Sequence, residues 1–191
     1  MHIFVPRESK AGERRVAIVP DVIAKYLRTG FTVSVERGAG VHALADDESL
    51  RSAGATIVSG SEISKADVVL SVNPLTAEQF SQLKKGAITI SFLSPNQSLD
   101  AISASAKVGA TSFSLELVPR ISRAQSMDAL TSQALCAGYR AALVAAELAP
   151  RFFPLLMTAA GTVTPANVVV LGAGVAGLQA IATARRLGAV V

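Results

Sequence analysis

The chain has 191 residues, half of them hydrophobic, and a mean hydropathy of +0.44, so it can bury a sizeable core and is neither disordered nor a repeat array. Its single cysteine, Cys136, excludes a disulfide framework, fits a reducing compartment and is expected in the core of an alanine-rich helix. The net charge of +4 comes from basic residues at Arg7, Lys10, Arg14, Arg15, Lys84, Lys85, Arg120 and Arg123, among others. These are not interleaved with the nine aromatics, so a nucleic-acid surface is not expected.

The first strand is expected at His2 to Pro6, too short an apolar run to serve as a signal peptide. A polar loop follows from Arg7 to Arg14, then an amphipathic helix at Pro20 to Arg28. From there a rhythm recurs of helix-like pattern, glycine and short β-rich run. Gly30 precedes Phe31 to Glu36, Gly54 precedes Ala55 to Val58, and Gly86 precedes Ala87 to Ser91. Gly109 precedes Ala110 to Ser114, and Gly188 precedes Ala189 to Val191. Glycine at the end of a helix takes the left-handed conformation that stops it, and preceding basic residues suit the helix dipole. A further buried strand is read at Ala66 to Ser71, ended by Pro74, and helices at Thr76 to Leu83 and Ser98 to Lys107. Strands alternating with helices predict an α/β fold with a parallel sheet covered on both faces.

The segment Arg120 to Asp128 concentrates two arginines, a glutamine and an aspartate between a proline-bearing extended stretch and a long helix expected from about Ser126 to Leu148. A loop feeding a helix N-terminus suits an anion or polar ligand, because unpaired N–H groups point out of it. The bland alternative is a solvated loop in which Ser122 and Gln125 form a capping box. Phe152 to Ala184 carries no charge, but Pro154, Pro165, Asn167 and its glycines break it into a loop, a strand and a helix rather than a membrane span. After Pro165, Val168 to Leu171 reads as a strand leading through Gly172-Ala173-Gly174-Val175-Ala176-Gly177 into a helix up to Leu187. This strand–GxGxxG–helix context marks a dinucleotide-binding turn, with glycines for the tight turn, the close approach to a pyrophosphate and close helix–strand contact. The acidic residue expected some twenty positions on, to hold the ribose, would fall past Val191, so the half-site reads as cut.

The expected organisation is an N-terminal α/β domain over 1–125, a linking helix over 126–150, and the start of a Rossmann domain over 151–191. No metal-ligand spacing is present. His2 and His42 read as a terminus and a loop residue rather than as catalysts, leaving no obvious acid–base pair.

The string Val118-Pro-Arg-Ile-Ser-Arg-Ala-Gln-Ser-Met-Asp128 resembles the nicotinamide-contacting loop of the NAD(H)-binding component of proton-translocating NAD(P) transhydrogenase. The resemblance extends to Pro6-Arg-Glu-Ser9, Glu13 to Ala17, Ala137-Gly-Tyr-Arg140, Met157 to Thr162 and Gly172 to Ala180. It implies a parallel-sheet N-terminal domain of the alanine dehydrogenase/transhydrogenase type. Arg120, Ile121, Ser122, Arg123, Gln125 and Thr131 would contact NAD(H), with Gln125 nearest the nicotinamide and Asp128 pairing with Arg120. Ala173, Gly174 and Val175 would lie under the pyrophosphate and adenosine half, with Gly172 and Gly177 shaping the turn. Where this chain has Thr131 such proteins usually have serine. The resemblance further implies a homodimer, cytoplasmic and peripheral at the inner face of the membrane. It would meet an NADP(H)-binding component and a membrane component that couples hydride transfer to proton passage, and be inactive as this chain alone. Two alternatives remain. An alanine dehydrogenase-like amino-acid dehydrogenase shares Arg15 but should have a lysine within Leu70 to Pro74 and a histidine near Phe92, and this chain has neither. A non-catalytic fragment keeping the fold is the other.

Overall fold

The computed structural model describes all residues, Met1–Val191. They form two compact units, Met1–Pro119 and Arg120–Val191.

The first unit is built on β1 (His2–Val5), β2 (Thr32–Glu36), β3 (Thr56–Val58), β4 (Val68–Leu70), β5 (Ile88–Ser91) and β6 (Thr111–Ser114). All pairings are parallel and the order is β3-β2-β1-β4-β5-β6. Helices α1 (Pro20–Arg28), α2 (Asp47–Ser52), α3 (Ala77–Ser81) and α4 (Leu99–Val108) connect the strands. Side chains alternate across a strand, so β1 feeds two cores at once. Ile3 and Val5 join Val33, Val35, Ile23 and Leu50 on one face. Phe4 joins Val69, Ile63, Phe80 and Ala101 on the other. The central strands β1 and β4 are thus covered on both faces, as the sequence predicts. The five glycines of the helix–glycine–strand rhythm all have positive φ, from +70° at Gly109 to +102° at Gly54. Thr76 and Gln79 form a reciprocal capping box that starts α3.

This strand order reverses between β1 and β4, where open α/β sheets usually form a ligand crevice. Here the loops beyond those strands are tied by the unit's own carboxylates. Glu8 accepts from the Val72 amide at 2.6 Å, from the Asn73 amide at 3.1 Å and from Asn73 Nδ2 at 3.0 Å. Glu13 accepts from Asn73 Nδ2 at 2.9 Å and pairs with Arg15 at 2.6 Å. Arg15 is therefore an ion-pair residue.

In the second unit α5 (Ala129–Leu148) lies against α6 (Val175–Arg186). A small apolar cluster of Phe153, Ala166, Ala184 and Ala189 closes it, with Ala146, Ala149 and Leu187 against it. Three sequence expectations are corrected here. The long helix starts at Ala129, not near Ser126, because Asp128 caps it by accepting from the Thr131 amide at 2.8 Å. Val168 to Leu171 is not a ladder strand. A parallel ladder needs a neighbour along its length, and the only pairing in this stretch is a single bridge between Asn167 and Val190, with Val169 and Leu171 exposed. Cys136 is exposed rather than in the core, because α5 buries only a narrow stripe containing Gly138 and Ala142. The sequence reading also passed over a hairpin, β7 (Leu156–Thr158) with β8 (Gly161–Val163), whose two-residue Ala159–Ala160 turn carries no Asn-Gly or Asp-Gly signal. Its closing contact is Thr158 Oγ1 donating to the Gly161 carbonyl at 3.1 Å. No helix is long and apolar enough to cross a membrane.

Glu13 gives the first unit a pH dependence. The bond from the Arg15 guanidinium, opposed by burial and helped by the Arg15 amide and Asn73, lowers its pKa from an ordinary 4.5 to about 2. A carboxylate depressed in the folded state stabilises above the unfolded pKa, and that contribution is lost as pH falls through the folded value. Melting temperature should therefore fall progressively between pH 4.5 and about 2. In Glu13→Gln this acid-dependent fall should be shallower, which thermal melts in a pH series would read directly.

Candidate functional site

The polar segment begins at Arg120, the first residue of the second unit. Ser122–Met127 is a 3₁₀ stretch, started by Ile121 in extended conformation and closed by the Asp128 amide donating to the Gln125 carbonyl at 3.2 Å. The capping box of Ser122 and Gln125, the bland alternative for this loop, does not form: no side chain caps this stretch. Ala124 is buried and anchors the turn, which leaves Arg120, Ile121, Ser122, Arg123 and Gln125 exposed around it. The result is a short platform bearing two guanidinium groups and one amide.

Asp128 joins this platform to α5. Its carboxylate accepts from the Thr131 amide at 2.8 Å and from the Thr131 hydroxyl at 2.6 Å. These two bonds, hydroxyl first, hold its pKa below the ordinary range, with a smaller push from the positive charge of Arg120. The expected pairing of Asp128 with Arg120 is thus a charge effect across space and not a contact. The carboxylate is already engaged by the helix amide, which is fixed by covalent geometry, whereas a guanidinium on a flexible stem is not. The Thr131 proton is committed to Asp128, so toward any ligand this hydroxyl can act only as an acceptor.

The second element is the glycine turn. Gly172 has φ +102°. Gly174 is the residue before α6, extended at φ −75° and ψ −173°, and no side chain caps the helix there. A Cβ placed on Gly177 would lie 2.0 Å from the Gly172 carbonyl oxygen, so the third glycine makes room for the turn to close on the helix. A Cβ on Gly174 would meet nothing within 4 Å, leaving open space beside the uncapped N-terminus. Gly172, Ala173, Gly174 and Val175 are all exposed. An uncapped helix start beside open space fits a pyrophosphate, which accepts from first-turn amides and favours the positive end of the dipole. Gly172 and Gly177 thus shape the turn and its contact with the helix as the fingerprint requires, and Gly174 leaves its outer side open. The sequence reading did not single out Gly138, although a glycine inside a long alanine-rich helix is itself a signal of close backbone approach.

In the first unit, the segments where an amino-acid dehydrogenase would need a lysine and a histidine line a cleft of about 250 Å³. Its walls include Tyr26, Leu70, Val72, Ile90, Phe92 and Leu115. An apolar pocket of this kind offers a keto acid no cation. No cluster of three or more His, Cys, Asp or Glu residues is placed to hold a metal ion.

The two glycine replacements should separate packing from binding. Gly177→Ala should destabilise the chain by about 1–3 kcal/mol through overpacking. Gly174→Ala, with an allowed φ and free space, should stay within about 0.5 kcal/mol. Urea denaturation of both variants against the parent checks this, and equal losses would contradict it.

Comparison with known proteins places this geometry. The profile of the alanine dehydrogenase/PNT N-terminal domain matches residues 4–137, and that of the corresponding C-terminal domain matches residues 141–191. The first part of the NAD(P) transhydrogenase alpha subunit from Rhodospirillum rubrum is 51% identical over 198 residues, covering 100% of this chain and 52% of the relative. Alanine dehydrogenase from Mycobacterium tuberculosis is 34% identical over 196 residues, again covering 100% of this chain and 52% of the relative. The crystal structure of transhydrogenase from Sinorhizobium meliloti superposes with a TM-score of 0.96 at 47% identity, over 99% of this chain and 57% of that one. The chain spans about half the length of these relatives. The resemblance to transhydrogenase alpha subunits read from the sequence therefore holds, and the chain belongs to the alanine dehydrogenase/PNT family.

Proposed function

We propose that this chain is part of the NAD(H)-binding component of a proton-translocating transhydrogenase, holding NADH while its hydride passes to NADP⁺ on a partner component. The observation that carries this reading is the pairing, within one unit, of an uncapped GxGxxG helix start with an exposed Arg/Gln platform fixed to α5. The identity of 51% to a transhydrogenase alpha subunit supports it.

The nicotinamide ring of the cofactor carries the hydride; the residues of this chain bind and orient. In this reading Gly172, Ala173, Gly174, Val175 and Gly177 receive the pyrophosphate and adenosine half through backbone amides and the helix dipole. Arg120, Ile121, Ser122 and Arg123 contact the cofactor along the platform, the guanidinium groups adding charge-assisted hydrogen bonds. Gln125 orients the nicotinamide through its amide, and Thr131 accepts from the ligand. Asp128 fixes the platform relative to α5 and thereby holds Gln125 in place. No side chain need move a proton, because a hydride leaves one carbon for another and alignment sets the rate. Coupling to proton passage, the dimeric state and attachment at the inner face of the membrane belong to the same reading, through partner components.

The alanine dehydrogenase reading is disfavoured by Phe92 and the apolar cleft around it. Alanine-dependent formation of NADH would reinstate it.

The test is hydride transfer from NADH to NADP⁺ with the NADP-binding component present. Gln125→Asn should slow transfer by about 10- to 100-fold, the effect of a misplacement near 1 Å, while NADH affinity changes little. Equal rates in variant and parent would remove the orienting role of Gln125.

A further inference from the structure

The first turn of α6 is gripped from two sides. On one side lies Gly172, whose carbonyl a Cβ on Gly177 would strike. On the other lies Gly138 in the middle of α5. A Cβ on Gly138 would sit 2.1 Å from the Ala176 carbonyl oxygen, 2.8 Å from its carbonyl carbon and 2.9 Å from its Cα. All three are backbone atoms, so no side chain can rotate away. Gly138 is buried, as is Ala142 one turn along the same face, and Ala146 continues that face toward the apolar cluster. A methyl group at position 138 would have to push the helices apart by about 1 Å to reach an ordinary contact distance.

That seam has an address. α5 begins at the Asp128 cap, which is continuous with the Arg120–Met127 platform, about 15 Å along the axis from Gly138 at the usual helical rise. Ala176 is the second residue of α6, directly behind the glycine turn. The platform leads into one of the two helices and the turn into the other, and at Gly138 the backbone of α5 comes directly against the start of α6. The seam therefore fixes the span between the two elements.

We propose that Gly138 is a positioning residue for dinucleotide binding: its missing side chain sets the separation between the polar platform and the glycine turn, so that one ligand molecule reaches both. This rests on the reading above that a dinucleotide bridges these two elements. A ligand that touches both is sensitive to their spacing, and a ligand that touches only the turn is not.

The experiment titrates the full chain with NADH, which would bridge both elements, and with ADP, which would occupy the turn alone. In Gly138→Ala the Kd for NADH should rise by about tenfold or more, while that for ADP should change by less than about threefold. Ala142→Val, a bulkier side chain farther along the seam, should show the same selective loss at smaller size. It decides the matter if Gly138→Ala does not fold. Parallel losses for NADH and ADP would mean that position 138 only supports the fold, and would overturn the proposal. Unchanged NADH affinity in the folded variants would overturn it too. Failure of the parent chain to bind ADP would overturn the dinucleotide reading itself, and this inference with it.

Discussion

Backbone amides left over at the ends of strands and helices are the constraint on which this structure depends. A parallel sheet covered on both faces satisfies its own interior, but every strand must hand the chain to a loop whose N–H groups have no ladder partner. In the first unit carboxylates take them. Glu36 accepts from the Arg7 amide, Asp47 from Gly38, Glu8 from Val72 and Asn73, and Glu116 from Leu93 and Ser94. Asp67 accepts from His2 and also pairs with Lys84. Five of the fourteen acidic residues of a net-basic chain, Glu8, Glu36, Asp47, Asp67 and Glu116, are thus spent on backbone amides.

This has a functional consequence. At the crevice between β1 and β4, where the topology would favour a ligand, Glu8 and Glu13 already occupy the polar groups of the loop after β4. At the start of α6 no side chain plays that part. Two Rossmann-like corners in one chain therefore differ in kind. In one the loop amides are taken by the protein's own anions, and the other presents free amides beside open space, where an external anion fits.

Much of the first unit was legible in the sequence because each local signal agreed with the next. α1 falls on Pro20–Arg28 as predicted, and each stop glycine has the left-handed conformation that its place requires. The six-stranded parallel sheet follows from strands that alternate with helices. The GxGxxG turn was also readable, because the steric reasons for Gly172, at positive φ, and Gly177, against the Gly172 carbonyl, depend only on neighbours within a few positions. The start of α5, expected at about Ser126, falls three residues later because Ser122–Met127 forms its own 3₁₀ stretch and the Asp128 carboxylate takes the Thr131 amide. Cys136 was expected inside because alanine-rich surroundings look like core, yet a helix with one packed neighbour exposes most of its circumference.

By itself the sequence determined the period of its elements, the stops between them and the residue types gathered in Arg120–Asp128, since these depend on steric preferences within a few positions of the chain. Only the tertiary structure decided which amides the carboxylates would take, that Arg120 acts on Asp128 through space, and that Gly138 meets Ala176. The carboxylate contacts join groups up to 65 positions apart in sequence, as with Glu8 and Asn73, brought together by a sheet order that no local pattern encodes, and the Gly138 contact depends on how α5 lies against α6.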